Sequence, residues 1–108
     1  MTSDKIVSAA RALVGVPFRH QGRNPEIGLD CVGLVAAIAN GFGLPVVDRL
    51  DYARTPRRGQ LEAALESQPC LEKIARLEPA CVVLMRISRS PQHVGIYTGT
   101  SMIHAWSN

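Results

Sequence analysis

One segment limits the possible folds of this chain more than any other. The ten residues that follow Asp30, residues 31–40, are nearly all apolar or small, and Gly41 comes next. Aspartate is a good N-cap and glycine a common helix stop, so the segment is predicted to form one helix. A helix that is apolar all round must be buried among other elements. In a chain of 108 residues this leaves room for one core, and we expect a single domain over residues 1–108.

The patterning around this helix changes from helical to strand-like along the chain. Residues 3–14 are predicted to form an amphipathic helix that Ser3 caps and Gly15 ends, and a short polar helix is expected around residues 59–67. Strands are predicted over three later segments, at residues 81–87, 93–98 and 101–106. The first of these is expected to be the central strand, buried on both sides. Helices followed by an antiparallel sheet indicate the α+β class.

Composition excludes several classes of protein. Apolar residues make up 46% of the chain and charged residues 19%, as in ordinary globular proteins and unlike disordered ones. The formal charge of +3 is spread thinly, and its densest cluster, Arg54, Arg57 and Arg58, is interpreted as a solvated loop, so no nucleic-acid binding is expected. No apolar run reaches membrane-spanning length and no signal peptide is visible, which predicts synthesis in the cytoplasm without membrane insertion.

The three cysteines are predicted to be free. Their odd number and irregular spacing argue against a disulfide framework. Cys70 and Cys81 are interpreted as structural residues. Cys31 would lie in the first turn of the apolar helix, where unpaired backbone N–H groups lower the pKa of a thiol and could hold an oxyanion. The alternative interpretation of Cys31 is a small apolar residue that is buried at a helix start.

Two histidines are predicted to meet on the last two strands. With a two-residue turn, His93 pairs directly with His104; with a four-residue loop, His104 lies opposite Gly95 and diagonal to His93. Both registers place the two imidazoles on one face. With Cys31 they suggest a triad for acyl transfer, in which Cys31 attacks, His93 is the base and His104 fixes the tautomer of His93.

Zinc binding by Cys31, His93 and His104 is the rival use of these side chains. It is less favoured because no Cys-x-x-Cys or His-Glu-x-x-His spacing is present, and no carboxylate lies near the histidines in sequence. A purely structural pair of histidines in the core is a further alternative, and it would need hydrogen bonds for both rings. The residues therefore favour the triad over a metal site.

Substrate-binding candidates lie on either side of the cysteine. The long loop over residues 15–29 precedes it, and loops of this length in small domains are often functional. Charged side chains of the loop could face a charged substrate, and Gly33 would allow a substrate or a backbone to approach closely. The candidates are Phe18, Arg19, His20, Asp30 and Gly33, and Arg23 is a weaker one that is also explained as an ordinary loop charge.

Three motifs resemble those of the NlpC-type cell-wall cysteine peptidases. They are Gly15-Val-Pro-Phe-Arg-His, Gly28-Leu-Asp-Cys-Val-Gly-Leu-Val, and the pair His93-Val-Gly-Ile-Tyr and Met102-Ile-His-Ala. The resemblance implies a papain-like core and a triad of Cys31, His93 and His104. It also implies hydrolysis of peptidoglycan stem peptides, usually at the bond from D-γ-glutamate to diaminopimelate or lysine, without a cofactor.

The lack of a visible signal peptide and of cell-wall-binding repeats is similar to the phage-tail and gene-transfer-agent branch of the family, in which such enzymes act at the cell wall as part of a particle. Phage-tail-like proteins are therefore possible partners. Phe18 stands where the family often has tyrosine, Val32 replaces a common serine, and we expect the domain to be truncated after Asn108. A non-catalytic tail-tip assembly module, and an amidase or transacylase that uses the same triad, remain alternative functions.

Overall fold

The computed structural model describes residues 2–48, 50–53, 57, 59–87 and 90–105, with only the backbone described for residues 87 and 90–92. Within these residues, three helices and five strands follow one another. They are α1 (Ser3–Ala12), β1 (Arg23–Asn24), β2 (Gly28–Leu29), α2 (Cys31–Gly41), α3 (Gln60–Glu66), β3 (Val82–Ile87), β4 (Ser90–Tyr97) and β5 (Met102–Ile103). Helices followed by an antiparallel sheet confirm the predicted α+β class.

Helix α2 forms the centre of the core, as its all-apolar sequence predicts. It begins after Asp30, whose side chain accepts a hydrogen bond from the backbone N–H of Gly33, and its C-cap is Phe42. Leu34 and Ile38 are buried, and they pack in one cluster with Ala10 of α1 and Ile96 of β4. Since the cluster joins two helices and the sheet, α2 is held in place on both sides.

Helix α1 packs on α2 through a face whose most buried residue is Ala10, which has no exposed surface. The predicted cap of this helix was one residue off. Thr2 is the N-cap, and its hydroxyl accepts from the backbone N–H of Lys5 at 3.4 Å. Ser3 is instead the first helical residue. The prediction missed by one position because the hydroxyl of either residue can cap a helix, and sequence alone does not choose between neighbours. No helix in the described part of the chain is long and apolar enough to span a membrane.

The three-stranded sheet has the order β3-β4-β5 and is antiparallel throughout. The prediction that residues 81–87 form the central strand is therefore wrong. β4 is central, and its Val94 and Ile96 are only 1% and 2% exposed. Residues 82–85 of β3 are half-buried, since this strand pairs on one side only within the described sheet. A continuous apolar run shows that a strand contacts the core but not how many strands flank it.

The loop before α2 is more ordered than its glycines and prolines predict. β1 and β2 pair antiparallel, with Arg23 opposite Leu29, and Phe18 makes a parallel bridge to Leu29. Gly22 and Gly28 allow this tight fold: a Cβ on Gly22 would lie 2.4 Å from the carbonyl oxygen of Gly28. The loop is thereby fixed against the start of α2.

Candidate active site

Cys31 is the first residue of α2 and is half-buried, at the position that the sequence predicts. Its thiol interacts with the backbone N–H groups of Val94, Val32 and Cys31 itself, which lower its pKa. Val94 follows His93 directly on β4, and α2 packs against that strand. The thiol therefore lies at the contact between the helix start and the strand that carries His93.

The protonation of Cys31 differs from the expectation for a helix N-terminus. Burial is the largest influence and raises the pKa of the thiol, and the neighbouring Asp30 carboxylate raises it further. The backbone N–H groups lower the pKa of Cys31, as expected, but each of these effects is smaller than that of burial. The predicted low thiol pKa is therefore not found in the free protein, because burial in this fold disfavours the thiolate more than the helix start favours it.

His93 and His104 form a hydrogen-bonded pair. Nε2 of His93 lies 2.9 Å from Nδ1 of His104, and the two rings are almost perpendicular with their centroids 5.0 Å apart. The strands pair Tyr97 with Met102, so the connection is the four-residue loop over residues 98–101. Of the two registers that the sequence leaves open, the structure has the diagonal one. The Thr98 hydroxyl accepts from the backbone N–H of Ser101 and shares a hydrogen bond with the Ser101 hydroxyl, and these contacts hold the loop in this register.

The two histidines differ in exposure. His93 is 5% exposed, whereas His104 is exposed just beyond the end of β5. Burial, and to a lesser extent the charge of a protonated His104, lower the pKa of His93 from 6.5 to about 4. His93 is therefore neutral at pH 7 and can accept a proton, as a general base must.

This low pKa predicts acid sensitivity of the fold. Above pH 6.5, His93 is neutral in both states, but between 6.5 and about 4 only the unfolded chain gains the proton. Stability should therefore fall across that window by on the order of 2 kcal/mol and level off below it, as far as this group is concerned. Urea unfolding of the wild type and of His93→Gln at pH 7 and pH 4.5 measures the effect. An equal loss in both proteins would contradict it, since every other ionisable side chain is present in both.

Asp30 lies in a buried network of hydrogen bonds. Its Oδ1 accepts from the backbone N–H of Gly33 at 2.8 Å and from Nη1 of Arg23 at 3.0 Å. Its Oδ2 accepts from the backbone N–H of Gln21 at 2.9 Å and from the hydroxyl of Tyr52. With 3% of its surface exposed and both oxygens occupied, Asp30 faces the protein interior, and this geometry does not support its predicted contact with substrate.

Gly33 is in close contact with the protein's own backbone. A Cβ at this position would lie 1.9 Å from the carbonyl oxygen of Gly22. The close approach that the sequence predicts at Gly33 is thus made by the loop before α2. The space that a substrate would need there is already filled.

Substitution of Gly33 should therefore unfold or strongly destabilise the protein. We expect Gly33→Ala to lower the free energy of unfolding by about 3 kcal/mol or more, because backbone must move away from the new methyl group. Gly41→Ala in the same helix is the matched control, since a Cβ there has nothing within 4 Å. Chemical denaturation of both variants checks this, and similar stability of the two would contradict the packing described.

The remaining predicted substrate residues lie on the loop before α2. Phe18 is half-buried, the exposed Arg19 donates its backbone N–H to Leu29, and the half-buried His20 contacts the ring of Tyr52 edge-to-face at 5.6 Å. These three residues come directly before Gln21, whose backbone N–H donates to Asp30. Their binding of substrate stays a prediction.

Sequence reasoning missed Tyr52. It lies in an irregular segment more than 20 residues after Cys31, without a periodic pattern or a motif around it. Arg23 was considered only as a loop charge or a substrate contact, whereas its guanidinium binds Asp30, Asp48 and Tyr52. The one available signal for this contact was that Arg23, a basic residue, lies in the loop that leads to the capping Asp30.

The other cysteines lie outside this arrangement. Cys70 and Cys81 are free and half-buried, and the backbone of Cys81 pairs with Tyr97 next to β3. Among the residues that the structure describes, no group of three or more histidine, cysteine or acidic side chains could hold a metal ion.

Comparison with known proteins identifies the family. The model of the NlpC/P60 family matches residues 15–108, which include the loop, α2, the sheet and both histidines. The chain belongs to the NlpC/P60 family. Members of this family are generally cysteine peptidases of the cell wall, so the resemblance of the three motifs is confirmed at the level of the family. A search of curated proteins found no match.

Proposed function

We propose that this NlpC/P60 protein is a cysteine peptidase that hydrolyses peptidoglycan stem peptides through Cys31, His93 and His104. The observation that carries the proposal is the hydrogen-bonded histidine pair beside the start of α2. A buried neutral imidazole, an orienting imidazole and a thiol at a helix N-terminus are the three parts that acyl transfer by cysteine needs.

The histidine pair supports a definite division of roles. Nε2 of His93 contacts Nδ1 of His104 at 2.9 Å, so Nδ1 of His93 is the nitrogen that would take the thiol proton. For this, Nε2 of His93 must carry a hydrogen and donate it to His104, which fixes the tautomer. His104 would also stabilise the imidazolium that forms when the proton moves.

The reaction would start from a neutral pair, because the pKa of Cys31 is raised and that of His93 is lowered. As the sulfur attacks the peptide carbonyl, its proton passes to Nδ1 of His93. The same nitrogen then gives the proton to the leaving amine, and the C–N bond breaks to leave a thioester on Cys31. A water molecule, deprotonated by His93, hydrolyses the thioester and restores the thiol.

The backbone at the start of α2 supports the proposal electrostatically. The N–H groups of Cys31 and Val32, together with that of Val94, favour a negative charge on the sulfur. N–H groups in this position can donate to the oxygen of the tetrahedral intermediate, where the negative charge develops. The Gly33 N–H is not among them, since Asp30 accepts its hydrogen bond.

The substrate and the place of action rest on the resemblance of the motifs. We propose cleavage of the D-γ-glutamyl bond to diaminopimelate or lysine, at the cell wall and as part of a phage-tail-like particle. The net charge of +3 is compatible with work next to anionic wall polymers. We propose neither binding to nucleic acid nor insertion into a membrane.

Digestion of purified peptidoglycan and of muropeptides, with product masses determined by mass spectrometry, tests the proposed function. A new amine on diaminopimelate or lysine is the expected result. Release of the whole stem peptide from the sugar would instead indicate an amidase, and transfer to an added amine a transacylase. An assembly module without catalysis would yield no product from either substrate.

A further inference from the structure

We propose that Arg23 and Tyr52 are positioning residues that hold the Asp30 carboxylate and so fix both the start of α2 and the charge next to Cys31. This inference rests on the proposed function, because it concerns the thiol that would act as nucleophile. It adds two residues to the site that the triad and the motifs do not include.

The geometry joins three separate parts of the chain at one carboxylate. Arg23 comes from β1, Asp30 caps α2, and Tyr52 comes from the segment before α3. Arg23 binds Asp30 through Nη1 at 3.0 Å and the Tyr52 hydroxyl through Nη2 at 2.8 Å, and its Cζ lies 5.6 Å from the centre of the Tyr52 ring. The Tyr52 hydroxyl in turn donates to Oδ2 of Asp30. Each of the three side chains thus contacts the other two.

Further contacts hold this triangle in place. Nε of Arg23 binds both oxygens of Asp48 at 3.0 Å. The side-chain amide of Gln21 donates to the backbone carbonyl of Tyr52 at 2.8 Å, while its backbone N–H binds Asp30. The loop before α2 and the segment around Tyr52 are therefore tied to the helix start by several hydrogen bonds, most of them with a charged partner.

Helix capping alone does not explain this arrangement. Serine or asparagine caps a helix about as well as aspartate and introduces no charge. A buried carboxylate needs a partner, and buried ion pairs contribute little net stability compared with apolar packing. An aspartate directly before the nucleophile, with an arginine bound to it, therefore points to a function of the charge itself.

The charge matters because Asp30 is adjacent to Cys31 and disfavours the thiolate. Arg23 offsets this charge, and the Tyr52 hydroxyl donates to it. Burial and the hydrogen bond to Asp30 raise the pKa of the Tyr52 phenol, so it stays a proton donor at neutral pH. In the described part of the chain, the charged and titratable groups of this network are Arg23, Asp30, Asp48 and Tyr52, and His93 and His104 form the pair on the neighbouring strands.

The test is the pH dependence of alkylation by iodoacetamide, measured on the Cys31 peptide by mass spectrometry so that Cys70 and Cys81 do not contribute. Arg23→Gln leaves the Asp30 charge without its arginine and should shift the Cys31 inflection upward by about half a pH unit or more. Asp30→Asn keeps an acceptor for the helix cap and should shift the inflection downward. Arg23→Lys should stay near the wild type, and Tyr52→Phe should shift it upward by less than Arg23→Gln.

Arg11→Gln, an exposed change of the same charge on α1, controls for net charge and should leave the inflection unchanged. Urea unfolding of each variant gives its stability separately. Shifts of opposite sign for Arg23→Gln and Asp30→Asn support the inference, because lost stability alone does not produce them. Should Arg23→Gln not fold, the upward shift in Tyr52→Phe decides.

Unchanged inflections in the folded variants, with only their stability lowered, would overturn the inference and leave the network a structural one. The proposed function fails in a different way. In that case digestion of peptidoglycan and muropeptides by the wild type would yield no product, whatever the Cys31 inflections of the Arg23 and Asp30 variants.

Discussion

Cys31→Ser is expected to abolish peptidase activity while the protein stays folded. Serine is nearly the same size, and the half-buried position at the helix start tolerates a hydroxyl. A serine hydroxyl is a much weaker nucleophile next to an imidazole that evolved with a thiol, so kcat/KM should fall by at least about 10³-fold. The rate of release of the new amine from a stem peptide measures this, with circular dichroism as the check on folding.

The chain offers two matched controls for this substitution. Cys70→Ser and Cys81→Ser make the same chemical change at other half-buried positions, and both should keep activity close to that of the wild type. Equal activity of Cys31→Ser and the wild type would show that the thiol of Cys31 takes no part in the reaction.

His93→Gln is expected to cause a loss of similar size. Glutamine can keep a hydrogen bond to His104, but it cannot take a proton from Cys31, so kcat should fall by at least about 10³-fold with little change in KM. The pH profile should also lose the limb that reports titration of the imidazole. Steady-state kinetics from pH 3.5 to pH 9, a range that spans the lowered pKa of His93 at about 4, would measure both effects.

Substitution of His104, the exposed partner of the pair, should lower activity less than substitution of His93. Water can replace a hydrogen bond at the exposed position of His104, so His104→Ala should lower kcat by only about 10- to 100-fold. His104→Asn retains an acceptor and should recover part of this loss. A loss in His104→Ala as large as that in His93→Gln would contradict the assignment of base and orienting residue.

The parts of this fold that were predictable from sequence are those with local signals. Asp30 before an apolar run fixed the start of α2, and alternation along β4 and β5 placed His93 and His104 on one face. Both registers place the two histidines close together, so their proximity was predictable. The length of the connection was not predictable, because Thr98-Gly99-Thr100-Ser101 suits both a two-residue and a four-residue turn.

What the sequence could not predict depends on contacts between distant segments. Tyr52 reaches Asp30 from an irregular segment, and no periodicity connects the two. The raised pKa of Cys31 follows from its burial against β4, whereas the sequence shows only the helix start, which lowers it. Gly33 likewise looked open to substrate, since nothing local indicates that the carbonyl of Gly22 occupies that space.

The most direct test of the account is labelling with a stem-peptide chloromethyl ketone, L-alanyl-D-γ-glutamyl chloromethyl ketone, followed by peptide mapping. We expect a thioether on Cys31 and not on Cys70 or Cys81, formed faster than with a simple chloroacetamide and slowed in His93→Gln. Labelling that shows no preference for Cys31, or none for the peptide over the simple reagent, would contradict the assignment of Cys31 as the nucleophile of a stem-peptide peptidase.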